Sequence, residues 1–155
     1  KCSYKPTRFT KMKKKLESAG LAIIYDNRVL LAHVTSRHQW NFSYGIPKGG
    51  IEKGESKMDA AIRETKEEVG VTIPRELIDE TEHTFMVGNS KIVYYYVVKI
   101  SSLSQIGLKD LSIPVGQLQL EEVDLAEFST HSEARRTIMK SQEVLVSNLH
   151  NLGLI

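Results

Sequence analysis

The sequence predicts a mixed α/β fold in one domain. Three observations carry this: a length and composition suited to one core, strand-like apolar runs punctuated by turn residues, and amphipathic helices, one between the strands and one after them. At 155 residues, 41% hydrophobic and 26% charged, the chain has the balance of a folded protein and enough length for a core that needs no disulfide or structural metal. The single cysteine, Cys2, cannot form an internal disulfide, and no Cys/His cluster has zinc-ligand spacing, which fits a reducing compartment such as the cytoplasm. No apolar run approaches the roughly 20 residues of a spanning helix, and the basic start lacks the apolar segment of a signal peptide. Membrane insertion and secretion are therefore not expected, although Lys1 in place of Met leaves a removed leader open.

Residues 1–18 form a basic N-terminal arm, with Lys1, Lys5, Arg8, Lys11, Lys13, Lys14 and Lys15 opposed only by Glu17. Such an arm either serves solubility or guides a polyanion. Residues 19–155 form the folded domain. The run 19–25 ends in β-branched residues, Asp26 and Asn27 supply turn chemistry, and 29–34 is again apolar, which predicts two strands around a tight turn. Residues 35–46 lack a period and carry Trp40, Phe42 and Tyr44, so they read as a loop whose rings stack on a base or cover the core.

Between Ser56 and Val69, Met58, Ala61, Ile62, Thr65 and Val69 recur at helical spacing. Ser56 and Asp59 form a capping-box-like start, Gly70 supplies a left-handed stop, and Pro74 reinforces it. Residues 82–87 and 91–100, joined by Gly88-Asn89-Ser90, predict a hairpin. Residues 101–116 form a connection, 117–124 are expected to be a strand, and 132–150 a single C-terminal helix. Strands with helices between and after them place helices against one sheet.

The chemistry is concentrated between Gly49 and Val71. Glu64, Glu67 and Glu68 stand at i, i+3 and i+4, so their carboxylates share a helix face. Such a face is either a solvated stripe with an Arg63–Glu67 pair, or a site for hard cations such as Mg2+, with Mn2+ as an alternative. The glycine-rich approach through Gly49, Gly50 and Gly54 favours the second, because it lets backbone come close to a charged ligand beside Lys48.

These residues resemble the Nudix hydrolase (MutT-like) signature. Gly49, Glu55, Arg63, Glu64, Glu67, Glu68, Gly70 and Val71 match at the required spacing, and Thr65 replaces an aliphatic residue. Seven fixed positions, each met at random about once in fifteen, coincide on the order of once in a hundred million start sites. The resemblance implies an α/β/α sandwich with a mixed sheet, and hydrolysis of a nucleoside diphosphate linked to another group. It implies that Glu67 and Glu68 are main metal ligands, Glu64 a further ligand or the group orienting water, and the Lys48 backbone carbonyl an extra ligand. Lys48, Gly49 and Gly50 are placed at the phosphates. Glu55, Arg63 and Gly70 are read as structural support, with the Arg63 guanidinium holding Glu55 or Glu67. The general base is either within the motif or a late glutamate, Glu121 or Glu122.

The Pro47-Lys48-Gly49-Gly50 entry and the strand at 91–96 look like the diadenosine polyphosphate and diphosphoinositol polyphosphate branch. A dinucleoside polyphosphate such as diadenosine tetraphosphate is thus the expected substrate. Alternatives are an RNA 5'-end pyrophosphohydrolase, a nucleotide-sugar or ADP-ribose pyrophosphatase, and a noncatalytic nucleotide-binding module. The expected partner is a nucleotide or polyphosphate small molecule, or an RNA 5' end, with no membrane, and the chain is expected to be a monomer or homodimer.

Overall fold

The computed structural model describes residues 15–155. The basic residues up to Lys14, and Cys2, lie outside the described residues. A ten-residue strand, β1 (Leu16–Tyr25), turns back into β2 (Arg28–Val34). Asp26 and Asn27 both take positive φ, 48° and 56°, the tight-turn geometry that short polar side chains tolerate. Then come the short strands β3 (Tyr44–Gly45) and β4 (Lys48–Gly50), helix α1 (Lys57–Val69), the hairpin β5 (His83–Val87) and β6 (Lys91–Ile100), strand β7 (Val123–Thr130), and helices α2 (His131–Thr137) and α3 (Glu143–Asn151).

All seven strands belong to one mixed sheet, ordered β3-β2-β1-β6-β5, with β4 also pairing β1 and β7 also pairing β2. β1 and β6 run parallel along their full lengths, from Leu16 opposite Lys91 to Tyr25 opposite Ile100. β1 meets β2 only at the turn, through Ile24–Val29 and Tyr25–Arg28. Further back, β1 pairs with β4 and β2 pairs with β3. The sheet therefore splits, and the opening lies between the β1–β4 pair and the β2–β3 pair.

Strand alternation divides the core into two layers. Leu21, Ile23, Leu30, Tyr96, Val98 and Phe128 pack with Ala60, Ala61 and Val69 of α1. Ala22, Ile24, Leu31, Val93 and Tyr95 pack on the opposite face with Ile138, Leu145 and Leu149. Helices on both faces of a mixed sheet form the α/β/α sandwich expected from the sequence. The caps of α1 also match: Ser56 accepts from the Asp59 N–H, and Gly70 has φ 69°. Thr65 is fully buried, and its hydroxyl donates to the Ala61 carbonyl at 2.8 Å, so the polar atom is satisfied inside the helix. Among the described residues, no helix is long and apolar enough to cross a membrane.

Leu16, Glu17 and Ser18, counted in the basic arm by the sequence, already pair with β6 as the start of β1, and two expected elements differ more deeply. Residues 117–122 are not strand: a 3-10 turn at Val115–Gln117 is followed by a bend in which the Gln119 carbonyl accepts from both Glu122 and Val123 at 2.9 Å. The polar–apolar alternation there mimics a strand, but Gln119 and Leu120 face solvent, and pairing with β2 begins only at Val123. The single C-terminal helix is instead two helices. At Ile138–Met139 the chain becomes extended, because the Ser43 N–H donates to the Thr137 carbonyl and the Met139 N–H to the Tyr44 carbonyl, both at 2.8 Å. Backbone groups of Ser43 and of Tyr44 in β3 thus take the partners an unbroken helix would have used.

Candidate active site

The split in the sheet and the face of α1 enclose a cleft of about 550 Å3. Its floor is Ala32, Val34, Gly45 and Ile46. One wall carries Glu64, Glu67 and Glu68 from α1, and the other groups include Ser36, Arg37, Lys48, Gly49, Gly50, Lys91, Gln119 and Glu122.

The acidic wall is set by the helix period and by one contact with β4. Gly49 passes so close to α1 that a Cβ there would overlap the Glu64 carboxylate. Arg63 organises the wall. Its Nε donates to Glu55 Oε2 at 2.8 Å, Nη2 to Glu55 Oε1 at 2.9 Å and to the Gly50 carbonyl at 2.9 Å, and Nη1 to Glu64 Oε1 at 2.8 Å. Its contacts to Glu67 are longer, 3.3 Å to each oxygen. Paired bonds of a planar guanidinium with a carboxylate fix both groups. They hold Glu55 down at about 2, an effect helped by the Glu52 N–H.

Glu68 has a different environment. Burial pushes its carboxyl up to about 8, and the charges of Glu64 and Glu122 add to this, while the Lys48 N–H at 3.2 Å and the Lys48 charge oppose it. Lys48 moves the other way, down to about 8, chiefly through burial and the nearby Lys91 ammonium. Burying a carboxylate is unfavourable unless a cation or hydrogen bonds compensate. The donor set, three carboxylates on one face beside a glycine-rich backbone, suits a hard divalent cation. Among the described residues, no three acidic or histidine side chains converge at ligand distance as they stand. Glu64 and Glu67 lean toward Arg63, and Glu67 is about half exposed and held by bonds of 3.3 Å.

The structure thus brings Lys48, Gly49, Gly50, Glu64, Glu67, Glu68 and Glu122 into one cleft, with Glu55 and Arg63 behind it. It leaves Glu121 exposed and outside the lining, although the two glutamates are adjacent in sequence. The turn before β7 separates them: the Thr35 N–H bonds to the Glu122 carbonyl at 3.0 Å and ties that residue to the loop after β2. Gly70 stands away from the cleft, where a side chain would strike Gln117.

Lys91, Arg37 and Gln119 also line the cleft and were not singled out from the sequence. Lys91 reaches it because β6 pairs with β1 in parallel, and β1 carries β4 on its other side. A lysine beginning a predicted strand offers no local sign of that. Arg37 lies on the long loop after β2, where its basic side chain beside three aromatics was the available signal.

Comparison with known proteins agrees with this arrangement. The NUDIX domain profile matches residues 15–142. The mRNA-decapping enzyme subunit 2 of Saccharomyces cerevisiae (strain YJM789) is 34% identical over 101 residues, 64% of this chain and 10% of that protein. The asymmetrical bis(5'-nucleosyl)-tetraphosphatase of Caenorhabditis elegans is 35% identical over 75 residues, 46% of this chain and 51% of that protein. The chain therefore spans a tenth to a half of the length of these relatives. The crystal structure of C. elegans Ap4A hydrolase superposes with a TM-score of 0.63 at 21% identity, covering 91% of this chain and 99% of that one, which shows a shared fold. Hydrolases of the matched family use divalent metals. With its profile matched from Lys15 through Gln142 and its glutamates gathered on one wall of the cleft, this chain belongs to the Nudix family.

Proposed function

We propose that this protein is a metal-dependent pyrophosphohydrolase that cleaves P–O–P linkages of a nucleoside polyphosphate, with a dinucleoside polyphosphate such as diadenosine tetraphosphate as substrate. One observation carries the reading: a carboxylate wall from α1 and the basic groups of Lys48, Lys91 and Arg37 line the same cleft. A polyphosphate needs both, cations on the acidic side and ammonium or guanidinium groups along the rest of its charge. The name of the nematode relative supports this substrate class.

Glu67, Glu68 and Glu64, with the Lys48 backbone carbonyl, would hold Mg2+, or Mn2+ in its place. A bound ion of this kind neutralises phosphate charge and lowers the pKa of coordinated water. Arg63 holds Glu55, Glu64 and the Gly50 carbonyl in register, so that β4 and α1 keep a fixed separation. Lys48 and Lys91 present positive charge to the phosphate chain. Glu122, in the lining and exposed to solvent, is placed to accept a proton from attacking water, a role that Glu121 cannot fill from outside the cleft.

A second reading, an RNA 5'-end pyrophosphohydrolase, is favoured by the longer match to the yeast decapping subunit. The deciding experiment measures Mg2+-dependent product release from diadenosine tetraphosphate, 5'-triphosphorylated RNA, capped RNA, ADP-ribose and diphosphoinositol phosphates, with Glu67→Gln as control. Highest kcat/KM on diadenosine tetraphosphate supports the first reading, and highest on RNA ends supports the second. Release from none of them would leave a binding module.

A further inference from the structure

The loop between β2 and β3 carries aromatic side chains that the core does not use. Tyr44, at its end, is buried against Leu31 and Ile46. Trp40, however, is 57% exposed and Phe42 41% exposed. The loop is tied at several points: the Ser43 hydroxyl donates to the Trp40 carbonyl at 2.7 Å, the Val34 N–H to the Ser43 carbonyl at 3.1 Å, and the Ser43 N–H to Thr137. Phe42 holds φ 60°, a left-handed conformation that is uncommon for a bulky residue and is often retained at functional positions.

Trp40 is backed on one side. The His33 ring lies 4.5 Å from it between centroids, and His33 Nδ1 bonds to Asp124 Oδ1 at 2.6 Å, so β2 and β7 fix the support beneath the indole. Phe42, in contrast, has the Lys140 ammonium over its ring at 5.5 Å. Trp40 is therefore the ring with a fixed back and an open front. Ser36 and Arg37 of the same loop are already in the cleft lining, with Arg37 three residues before Trp40. A supported, exposed aromatic face on the loop whose Ser36 and Arg37 line a polyphosphate cleft suits a nucleobase, which gains stacking without needing base-specific hydrogen bonds.

We infer that Trp40 stacks a nucleobase of the substrate whose phosphates occupy the cleft, and so selects nucleotides over base-free polyphosphates. This rests on the cleft being a nucleoside polyphosphate site. Trp40 is the only tryptophan in the chain, so its fluorescence reports on the proposed contact directly.

The test has two parts. In stopped-flow mixing with Mg2+, before turnover, wild-type fluorescence is expected to be quenched by diadenosine tetraphosphate and by ATP but not by inorganic tripolyphosphate. In steady state, Trp40→Ala is expected to raise KM for the nucleotide about 5- to 100-fold, the range of one stacked base, with kcat little changed and Trp40→Phe recovering most of the loss. Equal quenching by tripolyphosphate, absence of quenching by nucleotides, or an unchanged KM in Trp40→Ala would overturn the assignment. If no substrate is hydrolysed, the catalytic reading fails on its own, and the quenching comparison still decides whether Trp40 meets a base.

Discussion

Gly49→Ala separates the site from the fold. Gly49 lies outside the left-handed backbone region, so alanine carries no conformational penalty there. Its Cβ, however, would sit 2.5 Å from Glu64 Oε1 and nearer still to Cδ and Oε2, where ordinary contact begins at 3.4 Å. The Glu64 carboxylate must retreat by about 1 Å. It is the far end of a flexible side chain, so the fold gives little. Losing the 2.8 Å bond from Arg63 costs about 1 kcal/mol, and the stiffer unfolded chain returns about 0.5 kcal/mol. The melting temperature should fall by no more than about 4 °C. Turnover should fall on the order of 100-fold, because a displacement of about 1 Å in a catalytic group is enough for that loss. The assay pairs Mg2+-dependent hydrolysis of diadenosine tetraphosphate with a thermal melt and a Mn2+ titration. Turnover within about threefold of wild type would refute the reasoning. A melting-temperature drop beyond about 10 °C would also refute it, since β4 rather than the carboxylate would then have moved.

Glu67→Gln keeps the size of a half-exposed side chain and removes one ligand charge, so turnover at saturating Mg2+ should drop by about 100-fold or more with an unchanged melt; near-normal turnover excludes Glu67 as a ligand. Glu122→Gln should reduce turnover about 100-fold and Glu121→Gln less than about twofold, because only Glu122 lines the cleft; equal effects would remove Glu122 as the base. Stability should follow Glu68. Its folded pKa, about 8, lies above its ordinary 4.5, so in EDTA its contribution is full below pH 4.5 and is lost as pH rises through 8. Lys48, depressed to about 8 from 10.5, gives the opposite slope above pH 8. Melts in EDTA from pH 5 to 8 should therefore decline more steeply in wild type than in Glu68→Gln, and Mg2+ should raise the melting temperature more at pH 8 than at pH 6. Parallel wild-type and Glu68→Gln curves would show that Glu68 does not carry this proton.

The fold was legible where the signals were local. Asp26 and Asn27 announce a hairpin turn, Ser56 and Gly70 bracket α1, and the β-branched run at 91–100 is a strand in any context. It was illegible where distant backbone decides. The helical period across 132–150 is real, yet Tyr44 and Ser43 offer hydrogen-bond partners that interrupt it at Ile138 and Met139. Gln142, an ordinary polar residue in sequence, is buried after that break, and its side-chain oxygen accepts the Ile46 N–H at 3.0 Å. Residues 117–122 alternate like a strand but lack a partner edge, and without one the bend at Gln119 satisfies the backbone instead.

The same distinction divides the site. Its acidic half lies on two turns of one helix, so spacing alone puts Glu64, Glu67 and Glu68 together and places Arg63 within reach. Its basic half is assembled from Lys48 on β4, Lys91 on β6 and Arg37 on a loop, joined only because β1 pairs with β4 on one side and runs parallel to β6 on the other. A net charge of +2 conceals both halves. Glu68 and Lys48 meet where the halves join, and burial moves each toward its neutral form, about 8 in both cases. Near pH 7 this leaves Lys48 charged and Glu68 protonated. A divalent cation on the glutamates would favour the charged form of Glu68, and phosphates along the lysines would favour that of Lys48, so occupancy of the acidic wall and of the basic one would reinforce each other.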